Sequence, residues 1–198
     1  MITSKEDYFF YLEADRIALG IPNTPPPFFG KEIWKFERLL RKVEYYTNCK
    51  NQFPFSVYLK YLQLKLHYYG LFLGYSISPN TFGAGLSIAH TGTIVVNEQV
   101  RVGENCRIHT CVNIGTDAGD TDDTTVPTLG NNIYIGPGVK MFGKIHIADN
   151  IAIGANAVVN KDLTEPGITI AGIPAKKVSD KGSAGMIINA TDILRRTK

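Results

Sequence analysis

The chain has 198 residues, which is enough for one domain with an elaboration or for two small domains. Its 44% hydrophobic content allows a sizeable core, and a net charge of +3 is too small to indicate nucleic-acid binding. Three cysteines (Cys49, Cys106 and Cys111), none in a CxxC pair, disfavour disulfides and zinc and favour a reducing compartment. The N-terminus lacks the apolar core of a signal peptide, and no apolar run reaches about 18 residues. The sequence therefore predicts a soluble cytoplasmic protein.

Composition divides the chain into three parts. Residues 1–75 are rich in Tyr, Phe, Leu, Lys and Glu, and we expect a helical N-terminal region there. Residues 76–178 are rich in Gly, Ile, Val, Asn and Ala, and form the main predicted domain. Residues 179–198 remain as a C-terminal tail.

Three helices are predicted in the first part. Residues 7–19 form a short amphipathic segment, and the prolines at 25–27 forbid helix after it. An apolar stripe with helical spacing resumes over residues 31–46. Ser56 is the predicted N-cap of a third helix, VYLKYLQLKLHYYGLFLG. This helix is apolar on much of its surface, so we expect it to pack on the second part or on another subunit.

The second part contains an internal six-residue repeat. An aliphatic residue recurs at every sixth position, often followed by Gly or Asn. The position four residues after each aliphatic is small or apolar. The repeat starts are Val96, Val102, Ile108 and Ile114 in a first run, and Leu129, Ile135, Met141, Ile147, Ile153 and Val159 in a second.

A six-residue period predicts one short strand and one turn per repeat. The aliphatic side chain fills the interior, and Gly or Asn tolerates the positive φ of the turn. Such units cannot bury an apolar face alone, so they stack into a parallel β-helix. The alternative, a β-sandwich, would place turns about 8 to 12 residues apart.

The pattern [LIV]-[GN]-x-x-small-x over residues 76–183 resembles the hexapeptide-repeat acyltransferases. HTGTIVVNEQVRVGENC (residues 90–106) is similar to the serine acetyltransferase branch, and GIPAKKV (172–178) resembles the signature that closes the β-helix near the coenzyme A tail. KGSAGMIIN (181–189) looks like variants found with surface-polysaccharide genes. The resemblance implies a left-handed parallel β-helix of triangular cross-section, a homotrimer with active sites between subunits, and acetyl-CoA as co-substrate.

His90 lies where this resemblance places the catalytic base. Acetyl transfer from a thioester to a hydroxyl needs a base, an oxyanion donor and a groove for the pantetheine arm. Neutral imidazole suits the base role because its pKa is near 6.5. The alternative for His90 is a surface histidine at a β-helix edge.

Three positions depart from the serine acetyltransferase pattern. The family usually has Asp before the catalytic His, where this chain has Ala89, and an orienting Asp earlier, where it has Ser76. A second His usually precedes Pro127, where this chain has Val126. These differences favour a sugar or surface-polysaccharide hydroxyl as acceptor, with L-serine as the alternative. A non-enzymatic β-helix scaffold is a third possibility, and His90 with His109 is a poor set for a metal.

Two further features are candidates for the acceptor side. His109 follows a repeat aliphatic and is predicted to point outward, as an acceptor contact or a second base. The loop of residues 115–128 interrupts the repeat, and is either an acidic solvent loop or a flap over a neighbouring subunit's site. Asp117 and Asp120 in this loop are its candidate acceptor ligands.

Coenzyme A is expected along the side of the β-helix between two subunits. By analogy with the family, small residues let the pantetheine arm approach the backbone, although each glycine also suits a turn. Lysines near the end of the repeat are candidates for the phosphates, and a short apolar turn is expected by the adenine. The proposed residues are Gly136, Gly138, Gly143, Gly154 and Ala155 for the arm, Lys161, Lys176 and Lys177 for the phosphates, and Ile173, Pro174 and Ala175 for the adenine.

Overall fold

A computed structural model describes residues 1–23, 27–117, 119 and 124–197. The chain begins with three helices, α1 (Lys5–Ala18), α2 (Glu32–Cys49) and α3 (Phe55–Leu73). The Ser4 side chain caps α1 by accepting a hydrogen bond from the Asp7 N–H (2.9 Å). Gly74 ends α3 in the left-handed conformation, with φ of 83°.

The helix boundaries differ from the prediction by one to three residues. Helix α2 continues three residues beyond the predicted end at 46. The prediction that Ser56 caps the third helix is wrong, because Ser56 lies inside α3. Its N–H already donates to the Gln52 carbonyl (3.0 Å), so the preceding turn starts the helix earlier.

Short strands, separated by turns and loops, follow along the rest of the chain. They alternate between three sheets, and within the described residues all strand pairs are parallel except β13 with β14. In chain order they are β1 (Tyr75–Ser76), β2 (Ser87–Ile88), β3 (Ile94–Val96), β4 (Arg101–Val102), β5 (Arg107–Ile108), β6 (Val112–Gly115), β7 (Thr128–Leu129), β8 (Tyr134–Ile135), β9 (Lys140–Phe142), β10 (His146–Ile147), β11 (Ala152–Ile153), β12 (Val158–Val159), β13 (Thr169–Ala171) and β14 (Lys176–Ser179).

Successive strands pass through three sheets, and we call this arrangement the coil. Their orders are β1-β3-β6-β9-β12, β4-β7-β10 and β2-β5-β8-β11-β13-β14. Equivalent repeat positions pair directly, as Ile108 does with Ile135 and Ile135 with Ile153. Parallel pairing between successive turns confirms the stacked repeat and is inconsistent with a β-sandwich.

The interior of the coil is formed by the repeat aliphatics. All ten predicted repeat starts are buried. Four residues after each start, every position from 100 to 157 that the structure describes is also buried, and Leu163 is half-buried. Residue 118, four residues after Ile114, lies outside the described residues. Leu129 pairs with Val102 although residues 115–128 intervene, so the coil resumes its register after that loop.

The C-terminal residues fold back onto the first turns of the coil. A helix that the sequence did not predict, α4 (Ala190–Arg196), is anchored by a hydrogen bond from Asn105 Nδ2 to Thr191 Oγ1 (2.9 Å). On the surface, Arg195 pairs with Glu104 at 2.7 Å. Among the described residues, none of the helices is both long and apolar enough to span a membrane.

Buried charged side chains join the helices to the open edge of the coil. Arg41 is fully buried and donates to Asp15 Oδ2 (2.7 Å) and Glu44 Oε2 (3.0 Å). The same guanidinium donates to the backbone carbonyls of Phe82 (2.8 Å) and Gly83 (2.7 Å). All these polar atoms would be costly to bury without partners.

The acidic members of this group accept hydrogen bonds from the first turn of the coil. Asp15 Oδ1 accepts from the N–H groups of Gly85 (2.8 Å) and Leu86 (2.9 Å), and Glu44 Oε1 accepts from that of Asn80 (2.8 Å). A sheet edge presents unpaired N–H and C=O groups, and these side chains provide partners that another turn would have provided. Buried Glu37 likewise accepts from the Ile88 N–H, and we call the set Asp15, Glu37, Arg41 and Glu44 the end cap.

Candidate active site

The sheet that contains β2, β5 and β8 brings two histidines together. His90 follows β2 by two residues and His109 follows β5 directly. Because Ile88 pairs with Ile108, the residues after these two strands are neighbours. The imidazole centroids lie 5.8 Å apart, with the rings tilted by 57°. The sequence named both histidines as candidates but did not predict that they adjoin.

His109 is the more enclosed of the two histidines. Its ring is half-buried and contacts the edge of Tyr134, with centroids 5.3 Å apart. Burial lowers the pKa of His109 below its usual value, and the nearby charges of Arg107 and His90 lower it further. His109 is therefore neutral at neutral pH, with one ring nitrogen to donate and one to accept a hydrogen bond.

The main chain of His90 is held while its imidazole is exposed. The Ala89 N–H donates to the Ile108 carbonyl (2.9 Å) within the sheet. The Tyr75 hydroxyl donates to the His90 carbonyl (3.0 Å), and Tyr75 is almost fully buried. The backbone therefore sets the position of the imidazole, and the ring remains accessible to a substrate. No sequence pattern predicted the role of Tyr75.

The three positions that depart from the family pattern lie in different surroundings. Ser76 is exposed on β1, where it pairs with Val95. Ala89 is half-buried between β2 and His90, and Val126 is buried. A carboxylate or imidazole is therefore not supplied from these positions in this chain.

The interrupting loop is described only in part. Asp117 is exposed, whereas Asp120, like Asp122 and Asp123, lies outside the described residues. The other two histidines lie elsewhere. His67 lines a cavity of about 350 Å³ between α3 and β1, and His146 is exposed, with Nδ1 at 3.3 Å from Thr128 Oγ1.

The glycines named for coenzyme A have packing roles of their own. Gly136 and Gly154 follow β8 and β11, in line with His109 on the same sheet. A Cβ on Gly136 would meet the Ile153 carbonyl oxygen at 2.8 Å, and one on Gly154 would meet the Ala171 Cβ at 2.9 Å. Gly138 and Gly143 have φ of 79° and 84°, which favours glycine.

The other residues named for coenzyme A lie at the end of the coil. Ile173 and Pro174 form an exposed turn, and Ala155 is exposed near β11. Lys161 and Lys176 are also exposed, and Ala175 is half-buried. Lys177 differs from the other lysines, because its Nζ lies 2.6 Å from carboxylate oxygens of both Glu165 and Asp180. A phosphate would have to compete with these carboxylates for Lys177.

Metal-ligating side chains do not cluster in the part of the chain that the structure describes. No group of three or more His, Cys, Asp or Glu side chains there could hold a metal ion.

No family model matches the chain. Curated relatives do match: the serine acetyltransferase of Synechococcus elongatus is 35% identical over 121 residues, which are 61% of this chain and 49% of the relative. The serine acetyltransferase of Helicobacter pylori strain J99 is 37% identical over 107 residues, 54% of this chain and 61% of the relative. The chain thus spans about half to three fifths of the length of these relatives.

Solved structures extend the similarity to most of the chain. Serine acetyltransferase from Vibrio cholerae superposes with a TM-score of 0.70 at 22% identity, covering 92% of this chain and 71% of that one. The Neisseria gonorrhoeae enzyme in complex with serine gives 0.67 at 26% identity, covering 89% and 71%. A serine acetyltransferase in complex with CoA gives 0.68 at 22% identity, covering 88% and 71%. Together, sequence and fold confirm the resemblance to serine acetyltransferases of the hexapeptide-repeat family.

Proposed function

We propose that the chain is an acetyl-CoA-dependent O-acetyltransferase in which His90 is the general base. The observation that carries this proposal is the placement of His90. Hydrogen bonds to the His90 carbonyl and from the Ala89 N–H hold the main chain, and the exposed imidazole adjoins a neutral His109. The same residue stands at the base position of the family that the chain resembles.

The reaction follows from the chemistry of a thioester. His90 takes the proton of the acceptor hydroxyl while the oxygen attacks the acetyl carbonyl carbon. The tetrahedral intermediate expels the thiolate of coenzyme A, which receives the proton from the imidazolium. The products are the acetyl ester and free coenzyme A. His109, as a neutral imidazole, hydrogen-bonds the acceptor or the oxyanion.

L-serine is the acceptor that the comparisons favour. The relatives described above are named serine acetyltransferases, and one was solved with serine. The expectation of a sugar or polysaccharide acceptor finds no support in them. Because Ser76, Ala89 and Val126 replace the usual Asp and His residues, we propose that other groups bind the acceptor here. Candidates are His109, Asp117 and Asp120.

The remaining parts of the proposal concern the assembly and the donor. We infer a left-handed β-helix over residues 76–178, a helical region over 1–75, and a homotrimer with coenzyme A between subunits. Pantetheine then runs past Gly136, Gly154 and their neighbours toward the exposed turn at residues 173–175. The solved relative with CoA supports the donor.

Release of free thiol from acetyl-CoA tests the function directly. Turnover is measured with L-serine and with a panel of sugars and oligosaccharides. His90→Ala should lower kcat by about 10² to 10⁴-fold, and His146→Ala, an exposed histidine on another sheet, serves as the control. Turnover with sugars alone would restore the sugar acceptor. Absence of acetyl-CoA binding and of turnover would favour the scaffold alternative.

A further inference from the structure

We infer that Tyr75 and Glu37 are positioning residues for His90, and that they fix the strand that carries it from the side of the helices. The inference rests on the proposed function, since it concerns the same base. Each residue makes one hydrogen bond to the main chain of residues 88–90, one at each end of that segment.

Tyr75 holds the end of the segment at His90. Its hydroxyl donates to the His90 carbonyl at 3.0 Å, and its side chain is almost fully buried. The ring packs edge-on against Phe36 of α2, with centroids 5.0 Å apart. Burial and packing leave the phenol little freedom, so the carbonyl that it binds is held in one place.

Glu37 holds the other end of the segment. It is fully buried on α2, and its Oε1 accepts from the Ile88 N–H at 3.0 Å. Strand β2 is the last strand of its sheet, so this N–H faces away from its strand neighbour β5. Among the end-cap members, Glu37 bonds the residue that lies nearest His90 in the chain, because the others bond to residues 80–86.

The protonation of Glu37 is consistent with a neutral hydrogen-bonding role. Burial raises its pKa well above the usual range, and the charge of Asp15 raises it further. Its Oε2 has no hydrogen-bond partner among the described residues. A glutamine at this position would therefore keep the bond to the Ile88 N–H without changing the charge.

A base held through its main chain explains how His90 can be placed without the usual carboxylates. Ser76 and Ala89 do not provide the Asp that orients the base in the family pattern. Catalysis depends on placement, because a displacement of about 1 Å can cost as much as 100-fold in rate. Loss of either hydrogen bond should therefore lower kcat and leave acetyl-CoA binding intact.

Tyr75→Phe tests the first hydrogen bond in the full chain. We expect kcat to fall about tenfold, with an unchanged KM for acetyl-CoA and an unchanged circular dichroism spectrum. Tyr69→Phe is the matched control, because its hydroxyl bonds Glu32 in the same helical region and does not touch His90. Full kcat in Tyr75→Phe would overturn the role of Tyr75, as would an equal loss in Tyr69→Phe.

Glu37 is tested by rescue. Glu37→Ala should lower kcat, and Glu37→Gln should retain it. Glu44→Ala removes another buried end-cap carboxylate and should lower the unfolding temperature with kcat of the folded protein preserved. Equal kcat losses in Glu37→Ala and Glu44→Ala would overturn the role of Glu37. Absence of turnover by the unaltered protein would overturn the proposed function itself. If the unaltered protein is active and the variants do not show the expected changes in kcat, only the positioning roles are overturned.

Discussion

Arg41 and Asp15 form an ion pair that is buried from solvent on both sides, with Nε and Oδ2 2.7 Å apart. The two residues come from α2 and α1, yet each also bonds the backbone of the coil. The pair therefore connects the helices and the first turn of the coil through charge-assisted hydrogen bonds. The pair stabilises the protein only as part of the complete network, because either charge alone would be buried without a partner.

Removal of Arg41 should be strongly destabilising. Arg41→Met leaves the carboxylates of Asp15 and Glu44 buried and unpaired, so we expect a loss of about 3–5 kcal/mol in the free energy of unfolding. Urea denaturation followed by circular dichroism measures this loss. The control is Arg195→Ala, which breaks an exposed ion pair with Glu104 and should cost less than about 1 kcal/mol. Similar losses in the two variants would contradict the role of the buried network.

The effect of Glu37→Gln on stability should depend on pH. Because the folded-state pKa of Glu37 is raised, the folded protein keeps a proton that the unfolded chain releases above its usual pKa near 4.5. The unaltered protein thus loses stability as pH rises from that value toward the folded pKa, and Glu37→Gln removes this loss. Urea denaturation at pH 5 and pH 8 should show that the free energy of unfolding of the variant, relative to that of the parent, is higher at pH 8 than at pH 5. A constant difference between the two proteins would argue against a neutral Glu37.

His109 should make the protein lose stability as the pH falls, which is the opposite of the effect of Glu37. Its folded-state pKa lies below that of the unfolded chain, so the unfolded chain binds the extra proton first. The contribution of neutral His109 to stability is present above about pH 6.5 and is lost as pH falls below it. Between pH 7.5 and pH 5.5, His109→Gln should lose less free energy of unfolding than the parent does, as measured by urea denaturation. An identical loss in both proteins would mean that His109 titrates normally.

The stacked aliphatics of the coil should be sensitive to truncation. Ile135 is fully buried and pairs on both sides, with Ile108 and Ile153. Ile135→Ala should cost about 2–5 kcal/mol, because it leaves a cavity in a tightly packed stack. Ile173→Ala, in an exposed turn, is the control and should be close to neutral. Thermal unfolding of the two variants distinguishes these outcomes.

The coil was predictable from sequence because each turn repeats the same local rule. The period of six placed all ten repeat starts in the interior, and the parallel pairing follows from stacking. The loop of residues 115–128 was also visible as an interruption of that period. The repeat does not predict which strand pairs with the first strand after the loop. The structure shows that Leu129 pairs with Val102.

The end cap could not be predicted, because its charged residues follow a sequence pattern that usually indicates a solvent-exposed helix face. Glu37, Arg41 and Glu44 lie at i, i+4 and i+7, on one face of α2. Charges at this spacing usually mark a solvated face, yet here that face is buried against the coil. Their backbone partners lie 36 to 51 residues away along the chain, and no local pattern identifies such distant partners.

The site was predictable only in part. His90 and His109 could be named singly, but their 5.8 Å separation depends on strand register, as Ile88 pairs with Ile108. The bond from Tyr75 to the His90 carbonyl involves a backbone acceptor, which any residue at position 90 would present. Sequence patterns report side chains, so contacts of this kind appear only in three dimensions.

The end cap also sets a boundary on how the chain can change in length. The carboxylates and the guanidinium occupy edge groups of residues 80–88 that an earlier hexapeptide turn would need. Duplicated repeats inserted before residue 76 would have to displace the helices. The buried charges of the helices would then lose their hydrogen-bond partners. The edge of the coil that faces the helices is therefore closed to further repeats.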